Sequence, residues 1–217
     1  MTTGQARALE QLTDRYCLPP GLEPSEAERA FARSAPTGLE IGFGMGQALL
    51  RWAVERPDWN LFGVEVYQPG IGSLLLGLER QQLTNVRVFE AAAEDVLAKS
   101  FGASSIDEVR IFFPDPWPKK RHHKRRLIQG DFVSLLVDRL RPGGRLWLAT
   151  DWEPYARWML NVLEAQSELV SESTAGGDLS QGAHQRLETR FEARGKRLGH
   201  RVRDLVYYTT RCSTASR

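Results

Sequence analysis

The amino-acid order of this chain reads as a doubly wound α/β domain on a mainly parallel sheet. From Gly38 onward, short apolar runs alternate with longer amphipathic stretches, the signature of right-handed βαβ units. The first apolar run opens into a loop with glycine at 42, 44 and 46, directly before an amphipathic stretch. The chain has 217 residues, enough for one domain with an elaboration. Hydrophobic residues make up 41% and charged residues 26%, a globular balance that excludes a disordered chain.

An N-terminal arm is expected over 1–35, with a helix over 5–16 that Leu18-Pro19-Pro20-Gly21 stops. The α/β domain follows over 36–217. Strands are expected at 38–42, 61–66, 86–90, 106–113 and 145–151, and helices at 47–55, 71–81, 93–99, 131–139 and 155–165. Arg141-Pro142-Gly143-Gly144 carries helix-end and turn chemistry ahead of the fifth strand. Residues 173–185 are small and polar and read as a mobile loop. After them, 201–210 is β-like and is expected to close the sheet as a C-terminal antiparallel strand. No apolar run is long enough to span a membrane, and the N-terminus lacks the apolar region of a secretory signal. Cys17 and Cys212 stand alone, without CxxC spacing, so free thiols and a cytoplasmic location are expected.

Net charge is only +2, from 29 basic and 27 acidic residues, but it is unevenly placed. Residues 119–126 read Lys-Lys-Arg-His-His-Lys-Arg-Arg, and seven basic residues against two acidic ones lie between Arg186 and Arg203. Such blocks are either a solvated face or a polyanion site.

Glycines at 42, 44 and 46 let the backbone turn tightly and approach a ligand that a Cβ would block. The dinucleotide fingerprint would need glycine at 47, where this chain has Gln47. Glu40, just before the loop, would oppose a pyrophosphate but suits a ligand carrying ammonium and sulfonium groups. Glu65, at the end of the second strand, can accept both hydroxyls of an adenosine ribose. The pair favours S-adenosylmethionine over NAD; the plain alternative is two strand-end caps facing water.

The fourth strand runs into Phe112-Phe113-Pro114-Asp115-Pro116-Trp117. Two prolines fix the backbone around Asp115, as a carboxylate held still at a strand end requires. Trp117 offers a flat face for a base. The loop resembles the Asp/Asn-Pro-Pro-aromatic loop of amino-methyltransferases, although a capped proline turn is the simpler reading when it stands alone. The basic block follows at once, and beside a base pocket it reads as a phosphate track. His122 and His123 are adjacent, poor spacing for a shared metal, so no metal is expected.

Taken together, the segments LEIGFGMG (39–46), GVEVYQPG (63–70), FFPDPWPKKRHHKRR (112–126), LATDWEPY (148–155) and TRFEARGKRLGHRVRDL (189–205) resemble the bacterial tRNA (guanine-N(7))-methyltransferase family. The resemblance covers most of the chain from Leu39 onward. It implies a Rossmann-like class I methyltransferase that uses S-adenosylmethionine to methylate the variable-loop guanosine at tRNA position 46. It further implies that Glu40, Gly42, Gly44, Gly46, Glu65 and Asp115 bind the cofactor, with Asp115 also catalytic. Lys119, Asp151, Thr189, Arg190, Phe191 and Glu192 would meet the substrate nucleotide. Arg121, His122, His123, Lys124, Arg125 and Arg126 would face the RNA. At Ala92 the family commonly carries an acidic cofactor contact, which here falls to backbone amides or to Glu94. No obligatory protein partner is implied, and the expected state is a monomer or homodimer.

Guanine N(7) has an in-plane lone pair and no proton to lose, so methyl transfer needs no obligatory base and rests mainly on positioning. Asp115 or Asp151 is expected to select guanine by accepting from N(1)–H and the amino group, an unmatched buried contact costing about 1–3 kcal/mol. Phe191 or Trp117 is expected to stack an extruded base. Three rivals remain: methylation of another nitrogen, a non-catalytic RNA-binding module, and an NAD-linked oxidoreductase, which Gln47 and Glu40 oppose.

Overall fold

In the computed structural model of the protein, residues 1–172 and 202–210 are described. Their strands are β1 (Cys17–Leu18), β2 (Thr37–Ile41), β3 (Asn60–Glu65), β4 (Val86–Glu90), β5 (Ile106–Phe112), β6 (Leu140–Thr150), β7 (Leu169–Ser171) and β8 (Arg203–Thr209). They form one sheet in the order β1-β4-β3-β2-β5-β6-β8-β7. Every pairing from β1 to β6 is parallel; β8 runs antiparallel to both β6 and β7. The chain leaves β2 toward β3 and β4, then crosses back to lay β5 on its other side. That reversal opens a crevice at the carboxyl ends of β2 and β5, where ligands bind in open α/β sheets.

The helices are α1 (Thr3–Tyr16), α2 (Pro24–Arg29), α3 (Gln47–Glu55), α4 (Gln68–Arg80), α5 (Ala93–Ser100), α6 (Gly130–Arg139) and α7 (Glu153–Glu164), with a 3-10 helix at Lys120–Arg125. Alternation along β2 decides which layer each covers. Leu39 and Ile41 face a core shared with Val96 of α5, Leu136 of α6 and Met159 of α7. The opposite face meets α3, α4 and α1 through Trp52, Leu74 and Tyr16. No helix among the described residues is long and apolar enough to cross a membrane.

The N-terminal arm is built into this domain. Its helix lies on α4, where a Cβ on Gly72 would stand 2.6 Å from the Gln5 carbonyl, and β1 extends the sheet beside β4. Two boundaries move by three residues or more, the others by two at most. Helix α4 starts at Gln68 because Pro69 presets its first turn. Strand β6 starts at Leu140, so Pro142-Gly143-Gly144 lies within a strand whose pairing with β5 shifts register between Ile106 and Glu108. The expected loop at 173–185 and the substrate residues Thr189, Arg190, Phe191 and Glu192 lie outside the described residues, as does Cys212.

Candidate active site

Glu40, Gly42, Gly44, Glu65 and Asp115 line one cleft of about 800 Å³ at the reversal point of the sheet. Gly42 and Gly44 have φ of +70° and +54°, and a Cβ on either would meet nothing within 4 Å. Their bare backbone therefore forms an open wall of the cleft. Gly46 differs: a Cβ there would stand 2.7 Å from Leu74 Cβ, so it lets α3 approach α4. Its φ of +79° and this close packing both require glycine, and Gly46, expected among the cofactor residues, stands behind the lining of the cleft.

The loop is held by the end of β3. Glu65 Oε2 accepts from the Gly44 N–H at 2.8 Å, and Oε1 accepts from Val66 and Tyr67 N–H at 2.8 and 3.1 Å. A carboxylate offers about four acceptor sites, so Glu65 can fasten the loop and still accept a hydroxyl. From α4, Gly70 presses on the same loop: a Cβ there would stand 2.0 Å from the Gly44 carbonyl oxygen.

Glu40 lies on the floor of the cleft. It is 2% exposed, and its Oε2 has no hydrogen-bond partner among the described residues. Burial pushes its carboxyl up to about 7, while Arg110 pulls in the other direction. A buried acceptor without a donor is costly, and a cationic or N–H-bearing ligand would relieve it. An open glycine wall, an orphaned carboxylate oxygen and a second carboxylate at the strand end fit an amino-acid-bearing nucleoside such as S-adenosylmethionine.

Asp115 is exposed on the opposite rim, between Pro114 and Pro116. The residues flanking this tripeptide, Phe113 and Trp117, sit at φ of +53° and +42°. Left-handed backbone at a non-glycine residue costs about 1–3 kcal/mol and persists where surroundings enforce it. Here the Phe113 N–H donates to the Ala149 carbonyl at 2.7 Å. Trp117 is not a free platform. The Arg125 guanidinium lies 5.1 Å from its ring centroid and the His122 ring meets it edge-on at 5.8 Å.

The basic stretch divides in two. Lys119, Arg121, Lys124 and Arg125 are exposed on or next to the 3-10 helix, with His122 and His123 half-buried. Arg126 points inward. It is 4% exposed, its Nε donates to the Pro116 carbonyl at 2.9 Å, and its guanidinium lies over Tyr155 and Trp158 at 4.9 and 5.1 Å. The expectation that Arg126 faces RNA is therefore corrected: apolar stacking and a carbonyl acceptor hold it inside, under the Asp115 loop.

Ala92 is exposed at the N-cap of α5, and Asp151 is half-buried just beyond β6; neither they nor Lys119 line the cleft. Sequence reasoning missed the flank made by Val66 and Tyr67, both exposed at the cleft. Their signal was available: two large apolar residues directly after a strand-end carboxylate. It also missed Arg110, which no motif marks. No group of three potential metal ligands occurs among the described residues.

A methyltransferase family model, Methyltransf_4, matches residues 34–205. The chain is 49% identical over 209 residues to the tRNA (guanine-N(7)-)-methyltransferase of Alkalilimnicola ehrlichii, covering 95% of this chain and 87% of that one. It is 47% identical to the protein of the same name from Nitrosomonas europaea, covering 96% and 92%. Solved structures share the fold at low identity. The 16S rRNA methyltransferase KamB superposes with a TM-score of 0.61 at 15% identity, covering 88% of this chain and 95% of that one. The 16S rRNA (adenine(1408)-N(1))-methyltransferase from Catenulisporales acidiphilia gives 0.57 at 19% identity, with 90% and 95% covered. With close to half its residues shared along nearly its whole length, on a class I methyltransferase fold, the chain belongs to the tRNA (guanine-N(7)-)-methyltransferase family.

Proposed function

We propose that the chain transfers a methyl group from S-adenosylmethionine to N(7) of the variable-loop guanosine at position 46 of tRNA. The products are 7-methylguanosine and S-adenosylhomocysteine. The carrying observation is one cleft that joins an orphaned, buried Glu40 under a glycine wall to the rigid Asp115 loop, in a chain 45–49% identical to enzymes named for guanine-N(7) methylation.

When bound, S-adenosylmethionine supplies the electrophilic methyl group. Glu40 would hold its ammonium, Glu65 its ribose hydroxyls, and the Gly42–Gly44 backbone the space between them. Guanine brings its own in-plane lone pair, so no side chain has to remove a proton before transfer. Asp115 then has two uses: accepting from guanine N(1)–H and the amino group, and stabilising the positive charge that develops on the purine. Lys119, Asp151 and the stretch from Thr189 to Glu192 are proposed to hold the nucleotide, and Arg121, Lys124 and Arg125 the phosphates. The reaction needs no second protein, and a monomer or homodimer in the cytoplasm would carry it out.

Incubation with labelled S-adenosylmethionine and unmodified tRNA transcripts, followed by chemical cleavage at 7-methylguanosine, tests the reading. Cleavage at position 46 is the expected result. Label in tRNA without that cleavage would move the reaction to another nitrogen; cofactor binding without label would make the chain an RNA-binding module. Asp115→Ala is expected to lower turnover by about a hundredfold, the scale of one lost electrostatic contact in a transition state.

A further inference from the structure

Beneath the cleft floor, on the sheet face that α3 covers, the β2–β5 register sets Arg110 beside Glu40. The next strand sets Trp147 beside Arg110. The Arg110 guanidinium lies 3.6 Å from the Trp52 ring centroid and 5.3 Å from that of Trp147. Its Nε donates to Glu108 Oε1 at 2.6 Å, and Arg145 reaches the same oxygen at 3.5 Å. Two guanidinium groups thus share one carboxylate, and Arg110 is the one in register with Glu40.

Other charged groups bear on Glu40 less directly. Strand β3 presents Gly63 beside it and Glu65 at its end. Helix α3 presents neutral Ala48 and Trp52, while its Arg51 and Glu55 pair with each other on the outer surface. Asp115 lies across the cleft. Asp204 of β8 accepts from Trp147 Nε1 at 2.9 Å, one strand further out.

We propose that Arg110 is a positioning residue: clamped on Trp52 and Glu108 instead of bonding Glu40, it sets the charge of that carboxyl and leaves its oxygen open for the ammonium of the cofactor. The inference rests on the cofactor reading above. Burial pushes Glu40 up to about 7 and Arg110 opposes the rise. In the free protein burial therefore favours the protonated form of Glu40, and Arg110 the ionised one. An arriving ammonium favours the ionised form, and the proton passes from Glu40 to solvent while the ligand keeps all of its own bonds. Affinity for an ammonium-bearing ligand then weakens by up to about tenfold per pH unit below the midpoint. Loss of Arg110 moves that midpoint upward.

Titration calorimetry of the whole chain tests this with S-adenosylhomocysteine and with 5′-methylthioadenosine, which lacks the amino-acid group. Buffers of different ionisation enthalpy report the protons released. S-adenosylhomocysteine is expected to release protons as it binds near neutral pH, and methylthioadenosine none. Arg110→Met is expected to shift the midpoint upward for the first ligand only, and Arg110→Lys to bring it back. Binding of S-adenosylhomocysteine without proton release overturns the proposal, as does an Arg110→Met midpoint that stays in place. Failure of S-adenosylhomocysteine to bind at any pH would instead remove the cofactor reading. Should Arg110→Met not fold, Arg110→Gln takes its place with the same expected upward shift, and Glu40→Gln must abolish the proton release seen in the unaltered chain.

Discussion

At the contact between Gly70 and the Gly44 carbonyl, one methyl group decides whether the glycine loop can keep its place. A Cβ 2.0 Å from that oxygen must push the loop or α4 aside, since both sides are backbone. Overpacking of this kind costs about 1–3 kcal/mol. Gly70→Ala is therefore expected to weaken S-adenosylhomocysteine binding roughly five- to a hundredfold by calorimetry. A drop in Tm with unchanged affinity would show instead that α4 gave way. Arg126 teaches the reverse lesson at the same scale. Its charge reads like its neighbours in sequence, yet its guanidinium is buried on two aromatic rings and a carbonyl. Truncating it to Ala should lower the unfolding free energy measured in urea by about 1–3 kcal/mol, through lost packing and an unsatisfied Pro116 carbonyl. It should leave the salt dependence of RNA binding nearly unchanged.

The elements divide this work. The 3-10 helix keeps Lys124 and Arg125 in water beside the cleft rim. Replacing both with Ala is expected to flatten the salt dependence of tRNA binding by about 0.7–0.9 log units per lost phosphate contact. An unaltered slope, read by filter binding across a salt series, would turn that face away from RNA. Helix α1 begins with a reciprocal cap: the Gln5 N–H donates to Thr2 Oγ1 at 3.3 Å, and the Thr2 N–H donates to Gln5 Oε1 at 2.7 Å. Thr2→Ala should cost about 1 kcal/mol in chemical unfolding. Because α1 lies on α4, the effect should reach the whole domain and not merely fray the terminus. The strands were legible because each carries a short apolar run, clearest in Leu61–Val64 of β3 and Leu146–Ala149 of β6, as a sheet buried on both faces requires. The two-residue β1 and the three-residue β7 were not, since their partners β4 and β8 hold them and no pattern of their own does.

Across the molecule, the antiparallel strand β8 is tied to α7 by charge. Arg203 Nε donates to Glu153 Oε2 at 2.9 Å, and this bond, ahead of Arg157, holds the Glu153 carboxyl below its ordinary range. A depressed carboxylate pKa contributes stability that is present above the ordinary value and lost as pH falls through the folded one. Arg203→Gln should thus lower Tm near neutral pH, and the gap to the unaltered chain should close as acidification protonates Glu153, below the ordinary carboxylate range. A gap independent of pH would assign the effect to packing of β8.

The alternation of strands and helices, the glycine loop, the carboxylates at 40 and 65, the rigid Asp115 loop and the family are all legible in the amino-acid order alone. Each is written in local spacing or residue type, which is what backbone sterics and hydrophobic periodicity read. The folded chain adds that Gly46 lets α3 approach α4, that Arg126 is buried, that Arg125 lies over the Trp117 ring, and that Arg110 stands beside Glu40. Those outcomes depend on residues that are distant in sequence but brought together by strand register, and on how much water is left around a charge once the layers close. No local pattern carries that information.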